Sequence, residues 1–215
     1  QSAIGRDDMR AILMPAIFVL AAITGLASAT IAAPDPEAVT ECDKLASHGS
    51  DPERVAPGVG QSSMRKAAAI SACLADTSMQ PENRRLQYLL GRAYFYSGRA
   101  ADAMPHLIFS AEAGHRQSQF VLGYIYDSGL QGVEQDRCKT EALWLRSARQ
   151  GRFAALVSYP HHVVRGKFDD CDVNASTDEM AGFLDTAKGM ASDYYRRAWT
   201  ADVTDDFNVY RKGKR

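Results

Sequence analysis

What the chain lacks narrows its chemistry first. It has almost no net charge, with 25 Lys and Arg against 26 Asp and Glu for a balance of −1. No broad field therefore draws it to nucleic acid or to an acidic membrane surface. The basic end Arg211–Arg215 is a local exception, and a short run holding a glycine reads as a solvated tail. The sequence has no Gly-x-Ser-x-Gly, no phosphate loop, no HExxH and no dinucleotide fingerprint, which excludes the enzyme classes those motifs serve. Cysteines are few: Cys42, Cys73, Cys138 and Cys171 form no CxxC and have no histidine at zinc-ligand spacing, so no metal site is expected. Adjacent His161 and His162 would point about 100° apart on a helix and cannot readily chelate one ion. Asp169, Asp170 and Asp172 read as a solvated turn. No catalytic residue and no cofactor are nominated.

One long uncharged run is present, from Ala11 to Pro34, with Arg6 and Arg10 just before it. Ile12–Leu26 is apolar, and Ala27-Ser28-Ala29 supplies the small-x-small pattern of a signal-peptidase site. The expectation is a signal peptide over residues 1–29, with Met9 as a plausible start and the Ala32-Ala33 region as second choice for cleavage. Pro15, Gly25 and the many alanines disfavour a retained anchor, so membrane contact would come only through that segment if uncleaved. No cysteine lies near the cut, which argues against a lipoprotein. Loss of this segment removes Arg6, Arg10, Asp7 and Asp8 and leaves the charge balance unchanged. The expected location is periplasmic or secreted. An even cysteine count in such a compartment favours disulfides. The sequence-neighbouring pairs Cys42–Cys73 and Cys138–Cys171 are preferred, with separate buried thiols as the alternative. Each loop of about 30 residues would stabilise by roughly 3 kcal/mol.

Further along, residues 30–61 form an extension rich in Pro, Asp, Glu, Gly and Ser. One short amphipathic piece interrupts it, where Val39, Cys42, Leu45 and Ala46 recur at helical spacing. Ser50–Gly60 is turn chemistry, with two prolines and two glycines. Ser62–Asp76 reads as a helix. Then a pattern repeats within residues 62–151: Leu90-Gly91, Tyr94 and Gly98 return as Leu122-Gly123, Tyr126 and Gly129. Each set leads into an alanine-rich stretch closing on Ala-x-x-Gly, at Gly114 and Gly151. The glycine after leucine permits close helix approach, and Gly98 and Gly129 end first helices. Pro105 is expected to kink the second helix of the first unit. Residues 152–205 hold a degenerate unit, with Pro160 shortening or bending its first helix. A closing helix follows, capped by Ser176 with Glu179 and carrying Met180, Phe183, Leu184, Ala187, Met190, Ala191, Tyr194, Tyr195 and Ala198. Residues 206–215 are expected as a flexible basic tail. Asn174-Ala175-Ser176 fits a glycosylation pattern, but the serine is better used as the cap.

The segment Ser118–Gly151 resembles a Sel1-like repeat, through Leu122, Gly123, Tyr126, Gly129, Gly132, Val133, Asp136, Trp144, Ala148 and Gly151. Leu130-Gln131 make its loop one residue longer than the family pattern. Arg84–Gly114 is similar to the related tetratricopeptide repeat. The resemblance implies an all-α fold, an α-solenoid of stacked antiparallel helix pairs, whose first helices line a concave groove. Groove positions would be Arg85, Tyr88, Arg92, Phe95 and Tyr96 from one unit and Gln117, Phe120, Tyr124 and Asp127 from the next. Aromatics with arginine are frequent binding hot spots, so the groove would take a protein or peptide. The alternative is that several of these rings pack against a terminal cap. The function expected is a non-catalytic adaptor, or an accessory or regulator of envelope enzymes or sensor kinases, with cell-wall hydrolysis as a remote second class.

Overall fold

The computed structural model describes residues 35, 37–172 and 175–213. The signal segment expected over residues 1–29, its cleavage site, and Asn174 lie outside them. Among the described residues the chain is all-helical: α1 (Glu41–Ala46), α2 (Lys66–Met79), α3 (Arg84–Tyr96), α4 (Ala100–Glu112), α5 (Arg116–Ser128), α6 (Arg137–Arg149), α7 (Phe153–Val164), α8 (Thr177–Met190) and α9 (Tyr194–Gly213). A short 3₁₀ turn, Leu130–Gly132, precedes α6.

Helix starts follow capping chemistry. Asn83 accepts from the backbone N–H groups of Arg85 and Leu86 to open α3, and Asp136 accepts from Lys139 to open α6. Ser176 caps α8 as its spacing predicts. Glu179, its expected reciprocal partner, instead meets Arg149, with Nε–Oε1 at 2.8 Å. A capping box not anticipated from sequence, Thr40 with Asp43, makes the short α1 viable.

Neighbouring helices pack in pairs, α3 on α4 and α5 on α6, and the two pairs repeat each other's contacts. Ser110 Oγ donates to Arg84 O at 2.7 Å, and Ser147 Oγ donates to Arg116 O at 2.8 Å. Arg84 Nη1 reaches Ala113 O as Arg116 Nη1 reaches Gln150 O. Arg99 lies over the Tyr94 ring and Lys139 over the Tyr126 ring. The Leu-Gly positions do what their pattern suggests: Leu90 and Leu122 are buried. A Cβ on Gly91 would come within 2.8 Å of Leu107, and one on Gly123 within 2.5 Å of the Trp144 ring. Trp144 Nε1 then donates to Phe120 O at 2.9 Å, locking α6 onto α5.

The extra loop residue is absorbed by Gln131, which takes a left-handed φ of 54° between Gly129 and Gly132 and donates from its side chain to Phe95 O. Gly151 ends the unit at φ 73°. Both cysteine pairs form, Cys42–Cys73 with Cα atoms 4.5 Å apart and Cys138–Cys171 at 5.3 Å. Buried apolar side chains gather in two clusters. One runs from Cys42 to Leu143, and the other from Trp144 to Phe207.

Three expectations need correction. Pro160 does not cut its helix short, because α7 runs through it for 12 residues to Val164. The closing helix is two helices: α8 stops at Met190, and Asp193 starts a new one by accepting from the Arg196 N–H at 2.9 Å. Met190, Tyr194 and Tyr195 are consequently exposed. Residues 206–213 are no flexible tail but the end of α9, since Val203, Phe207 and Tyr210 form one apolar stripe and Phe207 is 2% exposed. Among the described residues no helix is long and apolar enough to cross a membrane.

Candidate binding surface

Helices α3 and α5 bring the expected groove residues to one side, but that side is not open. Residues 47–60, here the strap, lie across it between α1 and α2. Arg92 is the chief anchor: Nη1 donates to Ala46 O at 2.6 Å and Ser47 O at 3.1 Å, and Nη2 donates to Val59 O at 2.6 Å. Arg85 pairs with buried Asp43, whose other oxygen serves the α1 capping box. Tyr88 is 0% exposed and stacks on His115, with ring centroids 4.9 Å apart. Gln117 is buried and accepts from Arg152 Nε at 2.5 Å. Phe95 is buried too, while Tyr96 is half-buried with Arg92 over its ring. The expectation of an open groove at Arg85, Tyr88, Arg92, Phe95 and Gln117 is corrected. The first three serve the chain's own extension or lie sealed beneath it, and a covered face offers no contact to a partner while the strap stays down.

The outer positions differ. Tyr124 is 50% exposed, and half-buried Phe120 is stacked on Trp144 with Arg152 over its face. Asp127 is engaged by His162 at 3.7 Å and Lys167 at 3.8 Å. Nearby on the chain's C-terminal helices, Phe153 meets Trp199 edge-on and sits under Arg196. Gly49, Pro52, Arg54, Arg152, Phe153 and Arg196 share a pocket of about 290 Å³, so the strap and the start of α9 border one concavity.

Electrostatics beneath the strap are unusual for a loop contact. Asp51 Oδ2 faces His115 Nε2 at 3.4 Å, and both side chains are 0% exposed. His115 Nδ1 accepts from the Ser118 N–H to cap α5, which leaves the ring proton on Nε2. Burial pulls His115 down to about 4. Burial, with Arg92 and Arg152 adding to it, does the same to His48. Burial raises the Asp51 carboxyl to about 6, against the Glu53 backbone N–H that lowers it. Burial also depresses Arg152. Glu53 is the best-held group: Arg84 Nη2 lies at 2.9 Å, Arg116 Nε at 3.4 Å, and the Arg116 backbone N–H donates at 3.2 Å. A carboxylate thus sits on the N-terminus of α5, where the helix dipole favours an anion. Buried polar atoms in this interface without a hydrogen-bond partner include Ser47 Oγ, Asp51 Oδ2, Arg92 Nε and His115 Nε2.

Among the described residues no group of His, Cys, Asp and Glu is arranged to hold a metal ion. The chain matches no protein-family model, no curated protein and no solved structure.

Sequence reasoning named the arginines and rings of α3 and α5 but missed Asp51, Glu53, His115, Arg116 and Arg152. A usable signal was present. Residues 35–61 carry Asp35, Glu37, Glu41, Asp43, Asp51 and Glu53 against only Lys44 and Arg54. An acidic extension beside an arginine-rich helix face is a pairing that charge alone proposes.

Proposed function

We propose that this protein is an exported, non-catalytic helical-repeat adaptor, built as a Sel1-like solenoid, that binds an extended peptide segment of a partner protein. One observation carries the reading. The inner face of α3 and α5 already holds a loop of the chain's own polypeptide, through side-chain bonds to the last carbonyl of α1 at Ala46 and to the strap's main chain at Ser47 and Val59, and ionic bonds to its carboxylate at Glu53. A face that grips backbone carbonyls and acids with fixed arginines is chemically a peptide-binding face. The two disulfides fit an oxidising compartment, as an exported adaptor requires. A regulator of envelope enzymes or sensor kinases is one role such an adaptor serves.

The test is position-dependent crosslinking in cells. A photoreactive residue replaces Tyr96 or Tyr124 on the groove rim, or exposed Leu74 on α2 as control. Capture of the same identified protein from the rim positions, and not from Leu74, is the expected result. No capture from either rim position, or equal capture from Leu74, removes the groove from the account.

A further inference from the structure

We infer that the strap is a resident occupant of the partner's site, and that the partner segment displacing it is an acidic peptide that places a carboxylate where Glu53 now sits. This rests on the peptide-binding reading above and names its ligand class. Glu53 and Asp51 meet different surroundings, and only those of Glu53 are cationic. Glu53 lies between Arg84, Arg116 and the first turn of α5, while Asp51 faces His115. Arg92 reads only main-chain carbonyls, which any peptide supplies. Acidity, and not a particular apolar side chain, is therefore what the face selects.

The strap is also built to leave. It has no helix or strand between Ser47 and Arg65. Within it, Ala56 is the one buried apolar side chain. It leaves Ser47 Oγ, Asp51 Oδ2, Arg92 Nε and His115 Nε2 buried and unpaired, each a cost that a better-matched segment removes. Both its ends stay anchored when it lifts, because Cys42–Cys73 ties α1 to α2. The Val59 N–H donates to Ser47 O at 2.8 Å, closing the docked strap at its two feet, and this bond opens when the strap lifts. A cavity of about 740 Å³ opens beside the Glu53 carboxylate, with Arg84, Arg85 and Arg116 facing Glu37, Glu53 and Glu82 across it, and gives a competing acid access at the point where the strap is most ionic.

The probe is a fluorescent peptide of residues 47–60, with an otherwise identical peptide carrying Asp51→Asn and Glu53→Gln as control. The full chain is used as wild type and as Glu53→Gln, which weakens the resident strap without touching the groove. The variant should bind the acidic peptide about tenfold more tightly than wild type, the weight of one charged hydrogen bond, and should not bind the amide peptide. Adding Arg84→Ala and Arg116→Ala should abolish binding. A folded Glu53→Gln protein that ignores the acidic peptide, or binds both peptides equally, overturns the proposal. If that variant fails to fold, hydrogen exchange on the wild type decides. Millimolar acidic peptide should speed exchange at the Val59 amide, and an unchanged rate overturns the idea. A partner crosslinked at Tyr124 with no change at Val59 would retire the strap displacement and leave the adaptor reading standing.

Discussion

Arg92→Met isolates the strap's main anchor, since methionine keeps much of the apolar stem and removes all the donors. In the native protein one buried guanidinium serves three carbonyls, at 2.6, 3.1 and 2.6 Å. A bond from a charged donor contributes about 1.5–3 kcal/mol. The three share one group and do not add, so breaking the set while the strap stays down should cost about 3–5 kcal/mol. The strap has an escape, because lifting returns its carbonyls to water and caps the loss at its own docking free energy. Two measurements separate these outcomes. Urea denaturation followed by circular dichroism reads the global loss, and hydrogen exchange at the Val59 amide, bonded to Ser47 O, reads the strap alone. Exchange at Val59 should rise about 100-fold, equivalent to about 3 kcal/mol, with a smaller fall in the urea midpoint. Arg92→Lys should lie between, because one ammonium cannot reach carbonyls on both feet of the strap. If Arg92→Met changes neither the midpoint nor the Val59 rate, the anchoring argument is wrong.

Acid should loosen the same interface. The folded-state values of His48 and His115, about 4, lie below their usual 6.5, so their contribution is present above pH 6.5 and lost as pH falls through 4. Asp51, raised from 3.8 to about 6, works oppositely, contributing below 3.8 and losing that as pH rises through 6. Two groups outweigh one, so melting temperature should drop between pH 7 and pH 4, and by less in His115→Asn, which keeps an N-cap; a protein more stable at pH 4 contradicts this. Gly123→Ala drives a methyl to within 2.5 Å of the Trp144 ring and should cost about 1–3 kcal/mol by calorimetry, whereas Gly182→Ala, with open space around it, should cost nothing comparable. Removing the Cys138–Cys171 bond, whose loop separation is 33 residues, by a double serine variant should lower stability by about 3–4 kcal/mol, and non-reducing mass mapping should find no crossed pairs.

Local patterns carried much of the fold into view from sequence. Leu90-Gly91 and Leu122-Gly123 announce close helix approach, and a Cβ at either glycine would crowd Leu107 or Trp144. The cysteine pairing followed from neighbourhood in the chain. What stayed hidden was long-range. Nothing local says that Arg92 will bend toward residues more than 30 positions earlier, since an arginine on a helix face satisfies the same pattern whether it meets solvent, a partner or its own chain. The exposed rim residue Tyr124 was legible, while the buried Asp51–His115 contact was not, because a histidine preceding a helix rarely signals a cap. At the C-terminus, the acidic and basic residues around Phe207 disguised an apolar stripe as a tail.

Adjacent residues Leu143 and Trp144 on α6 belong to different hydrophobic clusters. That helix is therefore the seam between two halves of one compact unit. Each half has its own covalent brace: Cys42–Cys73 at the first, and Cys138–Cys171 joining the seam helix to the loop before α8. No brace links α1–α5 to α7–α9. The two halves are held to each other by non-covalent packing, through α6 against α5 on one side and α7 on the other.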